Sequence, residues 1–212
     1  MVGNESLVSL SNLFIKIVNH VPTLLLSLFV MLFFSLKRII FGGASGHHNK
    51  VLHALPDSLG NLESLEELVL DKCKNLRSIP SSIGHLRRLT RLSMKECKSV
   101  TILPDSIGSC SNLVELSLMK CLSLVQLPDS ICLLKNLEDL NLTKCISLVA
   151  LPENIGDLQS LAFLSVRDCK KLRVLPKSIN QLSNLYGIDF KDFNKMTDVP
   201  DPSHDDLPSS QD

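Results

Sequence analysis

Cysteines stand at Cys73, Cys97, Cys121, Cys145 and Cys169, each twenty-four residues from the next. A thiol at fixed spacing admits four roles: metal ligand, half of a disulfide, nucleophile, or packing. Zinc sites take cysteine pairs about two to four residues apart, and no such pair occurs in the chain. Parallel strands about 4.7–4.9 Å apart would satisfy the Cα distance of a disulfide. Direction argues against one, because five equivalent side chains point the same way and five is an odd number. A nucleophile needs a converging base, yet the six histidines are scattered and His47-His48 sit together outside the repeat. No Ser/His/Asp, Cys/His or paired-carboxylate arrangement converges, so we expect no catalytic residue, no metal and no cofactor. The five cysteines read as a structural ladder of small buried hydrophobes with weak S–H donors. Cys110 replaces a repeat leucine (compare Leu86 and Leu134) and Cys132 a repeat glycine (compare Gly108 and Gly156), both as packing substitutions.

The elements that hold the ladder repeat with it. Prolines recur at Pro56, Pro80, Pro104, Pro128, Pro152, Pro176 and Pro200, again twenty-four residues apart and without insertion. Aligned on them, each block reads Leu-Pro-x-Ser-Ile-Gly-x-Leu-x-x-Leu-x-x-Leu-x-Leu-x-x-Cys-x-x-Leu. In "LEELVLDKC" Leu68 and Leu70 alternate with Val69 and Asp71, the period-two pattern of a strand with one buried face. Equivalent strands centre on Leu92, Leu116, Leu140, Leu164 and Ile188, which predicts six parallel strands stacked repeat on repeat. Proline, with fixed φ and no N–H, opens a return segment too short for a long helix, so 3₁₀ or one-to-two-turn pieces are expected on the convex side. One repeat buries roughly eight apolar side chains at about 1.5–3 kcal/mol each, against about 1–2 kcal/mol of ordering per residue. Alone it would not fold; stacking supplies the missing burial. The fold class is an α/β solenoid, an arc with a parallel concave sheet.

The ends differ from the middle. Residues 17–36, "IVNHVPTLLLSLFVMLFFSL", hold no Asp, Glu, Lys or Arg, about the length that spans a hydrocarbon core. We therefore expect a hydrophobic leader over 1–40 with a transmembrane helix at 17–36. The excess of Lys37, Arg38 and Lys50 beyond it makes the carboxyl side cytoplasmic, giving a membrane-anchored repeat domain in a reducing compartment. A linker over 41–48 follows, then the repeat domain over 49–200, then a polar, Pro-rich and disordered tail over 201–212. Asn49 and Leu52 already fall on the twenty-four-residue register, and Ala44 and Gly46 stand where Leu68 and Leu70 have their equivalents. That break reads as a leader joined onto repeats that once continued upstream.

"LPDSIG", "LPENIG" and "LPKSIN", each followed by a leucine pattern of the form Leu-x-x-Leu-x-Leu-x-x-Asn/Cys-x-x-Leu, resemble leucine-rich repeats, whose period is about 20–29 residues. Within that class the wording is similar to the repeat region of plant nucleotide-binding leucine-rich-repeat disease-resistance proteins, over about Asn49 to Pro200. The resemblance implies a non-enzymatic recognition or autoinhibition module of plant defence signalling. Two other readings are a general intracellular scaffold of the plant Ras-group type and a membrane-anchored surface receptor fragment, for which the Asn141-Leu142-Thr143 glycosylation sequon would speak. The phosphate loop G-x-x-x-x-G-K-[ST] is absent from this chain, so no nucleotide is expected.

Lys plus Arg and Asp plus Glu number 22 each, which gives no field for nucleic acid. The partner is therefore expected to be a protein, held by the outward columns of the concave face. One column runs Glu67, Arg91, Glu115, Asp139, Phe163, Gly187, the next Val69, Ser93, Ser117, Asn141, Ser165, Asp189, and a third Asp71, Lys95, Met119, Thr143, Arg167, Lys191. Interfaces favour aromatic residues, Met and Arg, so the candidate partner-binding residues are Phe163, Arg167, Tyr186, Met119, Asp139 and Arg91.

Overall fold

The computed structural model describes residues 37–41 and 52–189. Seven three-residue strands, β1 Arg38–Ile40, β2 Glu67–Val69, β3 Arg91–Ser93, β4 Glu115–Ser117, β5 Asp139–Asn141, β6 Phe163–Ser165 and β7 Gly187–Asp189, form one parallel sheet in chain order. Their middle residues face inward: Leu68, Leu92, Leu116, Leu140 and Leu164 have no solvent exposure. Short strands suffice because each is held on both sides by a copy of itself, and the leucines of the return segments close the core behind them.

The turn after each strand depends on one residue in the left-handed region. Lys72, Glu96, Lys120, Lys144 and Asp168 have φ between 58° and 63°, a conformation that costs a non-glycine residue roughly 1 kcal/mol or more. It returns the next amide to the strand end, so that Cys121 N–H donates to the Leu118 carbonyl at 3.0 Å. The cysteine side chain then turns inward and back. The Cys97, Cys121, Cys145 and Cys169 thiols donate to the carbonyls of Leu70, Met94, Leu118 and Leu142 in the preceding repeat, at 3.0–3.1 Å. All seven cysteines are free and buried. Direction sets the outcome: each of these four sulfurs meets a backbone oxygen.

Convex segments are 3₁₀ turns of five residues, such as Ser81–His85 and Asp105–Ser109, each entered from an extended proline. Ile83 and Ile107 reach the core from them. Stacking here is close enough to require glycine: a Cβ on Gly108 would lie 2.4 Å from the Ser130 carbonyl oxygen of the next repeat. Cys132 occupies that glycine position, and the following turn shrinks to Ile155–Asp157, entered from Asn154 at φ −96°, ψ 26° instead of from a proline. A Cβ at this position is what the glycines of the other repeats avoid. Cys132→Gly is expected to extend the turn to five residues and raise stability by up to about 1 kcal/mol, the low end of overpacking costs. A urea titration of the two proteins reads the difference.

The first strand lies outside the expected register. Arg38 pairs with Glu67 twenty-nine residues on, where every later pair is twenty-four apart. The sheet has seven strands where six were expected, and β1 uses Ile39, opposite Leu68, in the role the period assigned near Ala44. Phe41 N–H continues the ladder to the Val69 carbonyl at 2.8 Å.

That strand also bears on the membrane reading, which is corrected. Among the described residues no helix is long and apolar enough to cross a membrane. The longest helical pieces there are five-residue 3₁₀ turns, against about twenty residues for a span. Lys37 and Arg38, expected to close a span on its cytoplasmic side, instead enter β1 and pair with Glu66 and Glu67 at 2.9 and 2.8 Å. The membrane anchor, and the membrane-anchored localisation built on it, are withdrawn. Residues 17–36, the 42–48 part of the linker and the 201–212 tail lie outside the described residues.

Candidate protein-interaction face

Strand alternation leaves two outward residues per strand, and in-register parallel pairing arranges them in rows across the concave face. The first row is Arg38, Glu67, Arg91, Glu115, Asp139, Phe163 and Gly187. Its signs alternate at the start, with Arg38–Glu67 at 2.8 Å and Arg91–Glu115 at 3.2 Å. Alternation then fails: Glu115 and Asp139 are opposite each other, both acidic. Burial and the neighbouring Glu115 carboxylate push the Asp139 carboxyl above its ordinary range, with Lys95 and Arg91 pulling the other way.

The second row is Ser93, Ser117, Asn141 and Ser165, short polar residues flanked by longer ones, so that the three serines are buried. Most find partners in their own repeat spacing. Ser93 Oγ donates to Asp71 Oδ1 at 2.7 Å, the same oxygen that accepts from Lys95 N–H, and Ser165 Oγ shares a 2.7 Å hydrogen bond with Thr143 Oγ1. Asn141 Oδ1 accepts from Thr143 N–H at 3.0 Å. Ser117 differs, because the residue at its Asp71-equivalent position is Lys95, a donor; its hydroxyl has no hydrogen-bond partner.

Beyond the strand ends a further row carries the left-handed residues Lys72, Glu96, Lys120, Lys144 and Asp168. Lys120 reaches back to Glu96 at 3.2 Å and Lys144 forward to Asp168 at 3.8 Å, which leaves the two lysines adjacent. The Lys120 hydrogen bond holds the Glu96 carboxyl below its ordinary range.

The expected contact residues are spread over this face. Phe163, half-buried, follows Asp139 in the first row, and Tyr186, 86% exposed, stands one residue before Gly187, its N–H donating to the Ala162 carbonyl at 3.2 Å. These two share the strand-entry margin. Arg167 lies across the sheet beside Asp168, at 3.8 Å, and Met119 holds the equivalent position two repeats earlier. Arg91 is engaged with Glu115. The sequence places Ser117 in an outward column without singling it out, and Lys120 and Lys144 were passed over, although the columns already held the signal: at one junction, like charge follows like charge. It also passed over a row of asparagines, Asn112, Asn136 and Asn184, whose side-chain N–H groups cap the Arg87, Ser111 and Gln159 carbonyls at 2.7–2.8 Å. Between them and the sheet runs a shallow cleft of about 490 Å³ bounded by Glu66 and Glu138. Among the described residues no group of three or more His, Cys, Asp or Glu is placed to hold a metal ion.

The Leucine Rich Repeat family model matches residues 64–86, one turn of a geometry that the strands repeat six further times. The fold is a leucine-rich-repeat solenoid. No curated protein matches the chain in sequence. Solved structures resemble it at low identity. The leucine-rich repeat domain of the type III effector XopL is 24% identical with a TM-score of 0.44, over 76% of this chain and 70% of that one. The Arabidopsis receptor kinase HAESA is 21% identical with a TM-score of 0.46, over 77% of this chain but 30% of its own. A plant ice-binding protein is 20% identical with a TM-score of 0.49, over 65% of this chain and 52% of its own. The assignment of this leucine-rich-repeat arc rests on its own seven in-register strands.

Proposed function

We propose that the arc is a non-enzymatic protein-interaction module, and that its partner is a protein seated on the concave face. The observation that carries this is the division of labour along each strand. Middle residues are consumed by the core, while the flanking rows hold half-buried charged, polar and aromatic side chains that the core does not use. The repeat wording "LPDSIG" and "LPENIG" supports a finer reading, a recognition or autoinhibition module of a plant disease-resistance protein. In that reading Phe163, Arg167, Tyr186 and Met119 form the contact surface, with Asp139 and Arg91 at its acidic and basic margins.

The C-terminal half carries the contact because Phe163 and Tyr186 offer aromatic area without an ion pair to break. Phe163→Ala with Arg167→Ala is expected to reduce partner capture from plant extract at least tenfold. Glu67→Ala with Arg91→Ala, which removes exposed pairs worth a few tenths of a kcal/mol to about 1 kcal/mol, should reduce it less than threefold. Equal losses would move the contact surface elsewhere on the sheet.

A further inference from the structure

The junction between β4 and β5 breaks the charge order of the sheet on both margins at once. On the strand-entry margin Glu115 has its cation upstream, in Arg91, and meets Asp139 downstream. Asp139 is followed by Phe163, so its Oδ1 has no hydrogen-bond partner. On the other margin Lys120 pairs upstream with Glu96 and Lys144 downstream with Asp168, leaving lysine beside lysine. Like charges directly opposite in a sheet are destabilising. Between the two margins, at the same junction, lies Ser117, 2% exposed, with its hydroxyl unpartnered.

Other unpartnered hydroxyls exist, but they differ in kind. Ser58, Ser82, Ser106 and Ser130 recur in register on the convex side, where the chain packs on the glycine positions. Ser117 is unpartnered in a row where Ser93, Asn141 and Ser165 are all bonded. Three features therefore coincide at this junction: Glu115 facing Asp139, the unpartnered hydroxyl of Ser117, and two adjacent lysines, Lys120 and Lys144, each with one anion on its far side.

Taking the concave-face reading as its basis, we infer that the β4–β5 seam binds an extended segment of a partner protein with a basic side chain at one end and an acidic one at the other. Glu115 and Lys120 are five residues apart along the chain, which at the strand rise of about 3.3 Å places the two margins roughly 13–16 Å apart once the turn is allowed for. An extended occupant running along the strands covers that distance in about four or five residues. Its basic residue neutralises the acidic pair, its acidic residue the lysine pair, and the polar chain between them serves Ser117. Each complementary charge relieves a repulsion already present in the free sheet, so the sheet discriminates against a segment whose two end charges are alike.

The test is selection from a phage-displayed library of random twelve-residue peptides on the whole protein. Enriched peptides are expected to share a Lys or Arg and an Asp or Glu four or five residues apart. Asp139→Lys, which gives Glu115 a second cation, is expected to keep or raise Tm while lowering affinity for those peptides at least tenfold. Lys120→Ala with Lys144→Ala should lower that affinity at least tenfold from the other margin, with the protein still folded although the pairs to Glu96 and Asp168 are lost. No enrichment, enrichment without the spaced pair, or equal binding by the folded variants overturns the inference. Capture of a partner from extract that survives those substitutions yet is lost in Phe163→Ala with Arg167→Ala would leave the concave-face reading standing and the seam refuted.

Discussion

Between pH 9 and about pH 10.5 the arc is expected to unfold, with its cysteines as the cause. Burial pushes the Cys73 thiol up to about 12 from the ordinary value of 9.0, aided by Asp71. Cys110, Cys132 and Cys169 rise to about 11, desolvation again first among the causes. Cys97, Cys121 and Cys145 are driven well above 9.0, as burial is joined by neighbouring thiols in the ladder. A folded-state pKa above the unfolded one means that above pH 9 the unfolded chain binds fewer protons, so stability falls as pH rises. The contribution is complete below pH 9 and is lost as pH climbs through the folded values. One pH unit past the unfolded pKa is worth about 1.4 kcal/mol for each thiol. Seven thiols make roughly 10 kcal/mol at pH 10, comparable with the whole stability of an ordinary domain, about 5–15 kcal/mol. The measurement is circular dichroism against pH under reductant, alongside thiolate absorbance. The two transitions should coincide and reverse on return to pH 8. Thiolates that form while the sheet persists would show that the ladder tolerates charge.

This vulnerability was legible in one respect and hidden in another. Cysteine at a repeat position after each strand implies an inward thiol, because the leucines on either side define which way the chain faces. The acceptors, Leu70, Met94, Leu118 and Leu142 carbonyls of the preceding repeat, follow from the left-handed residue before each cysteine. Nothing in the spelling of Lys72, Glu96 or Lys120 announces that conformation. Periodicity also located β2 to β7 through Leu68, Leu92 and their equivalents, yet it missed β1. Arg38–Ile40 is offset from the period by the longer connection to β2, and a register argument sees only equal intervals. Ile39 carried a weaker clue, an apolar residue between Arg38 and Ile40, overshadowed by the long apolar run before it.

For the interaction face, residue types were legible and their conflicts were not weighed. The column Glu67, Arg91, Glu115, Asp139 can be written from the sequence, and parallel register turns it into contacts. Whether a given serine hydroxyl is satisfied depends on the residue twenty-two positions earlier. Ser93 has Asp71 there and Ser117 has Lys95, a difference of chemistry that a consensus averages away. Cys132 is similar: a Cβ at its position faces the next repeat and not its own, as Gly108 faces Ser130.

Leu116→Ala should be the most damaging single truncation on the sheet. Leu116 has no solvent exposure, and it stands in the fourth of seven strands with Leu92 and Leu140 as in-register neighbours. Losing the branched end of a buried leucine costs about 2–5 kcal/mol, the spread reflecting how far the surroundings collapse into the gap. Collapse is restricted here, because the backbone of each strand is fixed by hydrogen bonds to strands on both sides. In a solenoid stability is carried by contacts between neighbouring repeats, so this one cavity weakens two interfaces. Leu185, partly buried against the core beside the last described strand, has less area to lose, and Leu185→Ala is expected to cost about 1 kcal/mol. The position of the change, more than its chemistry, then decides the form of unfolding. Urea titration of Leu116→Ala should broaden or split into two transitions as the halves uncouple, whereas Leu185→Ala should shift the midpoint and leave the slope unchanged. A single sharp transition for Leu116→Ala, displaced by less than about 1 kcal/mol, would mean that coupling runs through the convex turns and the cysteine ladder instead of through the leucine row of the sheet.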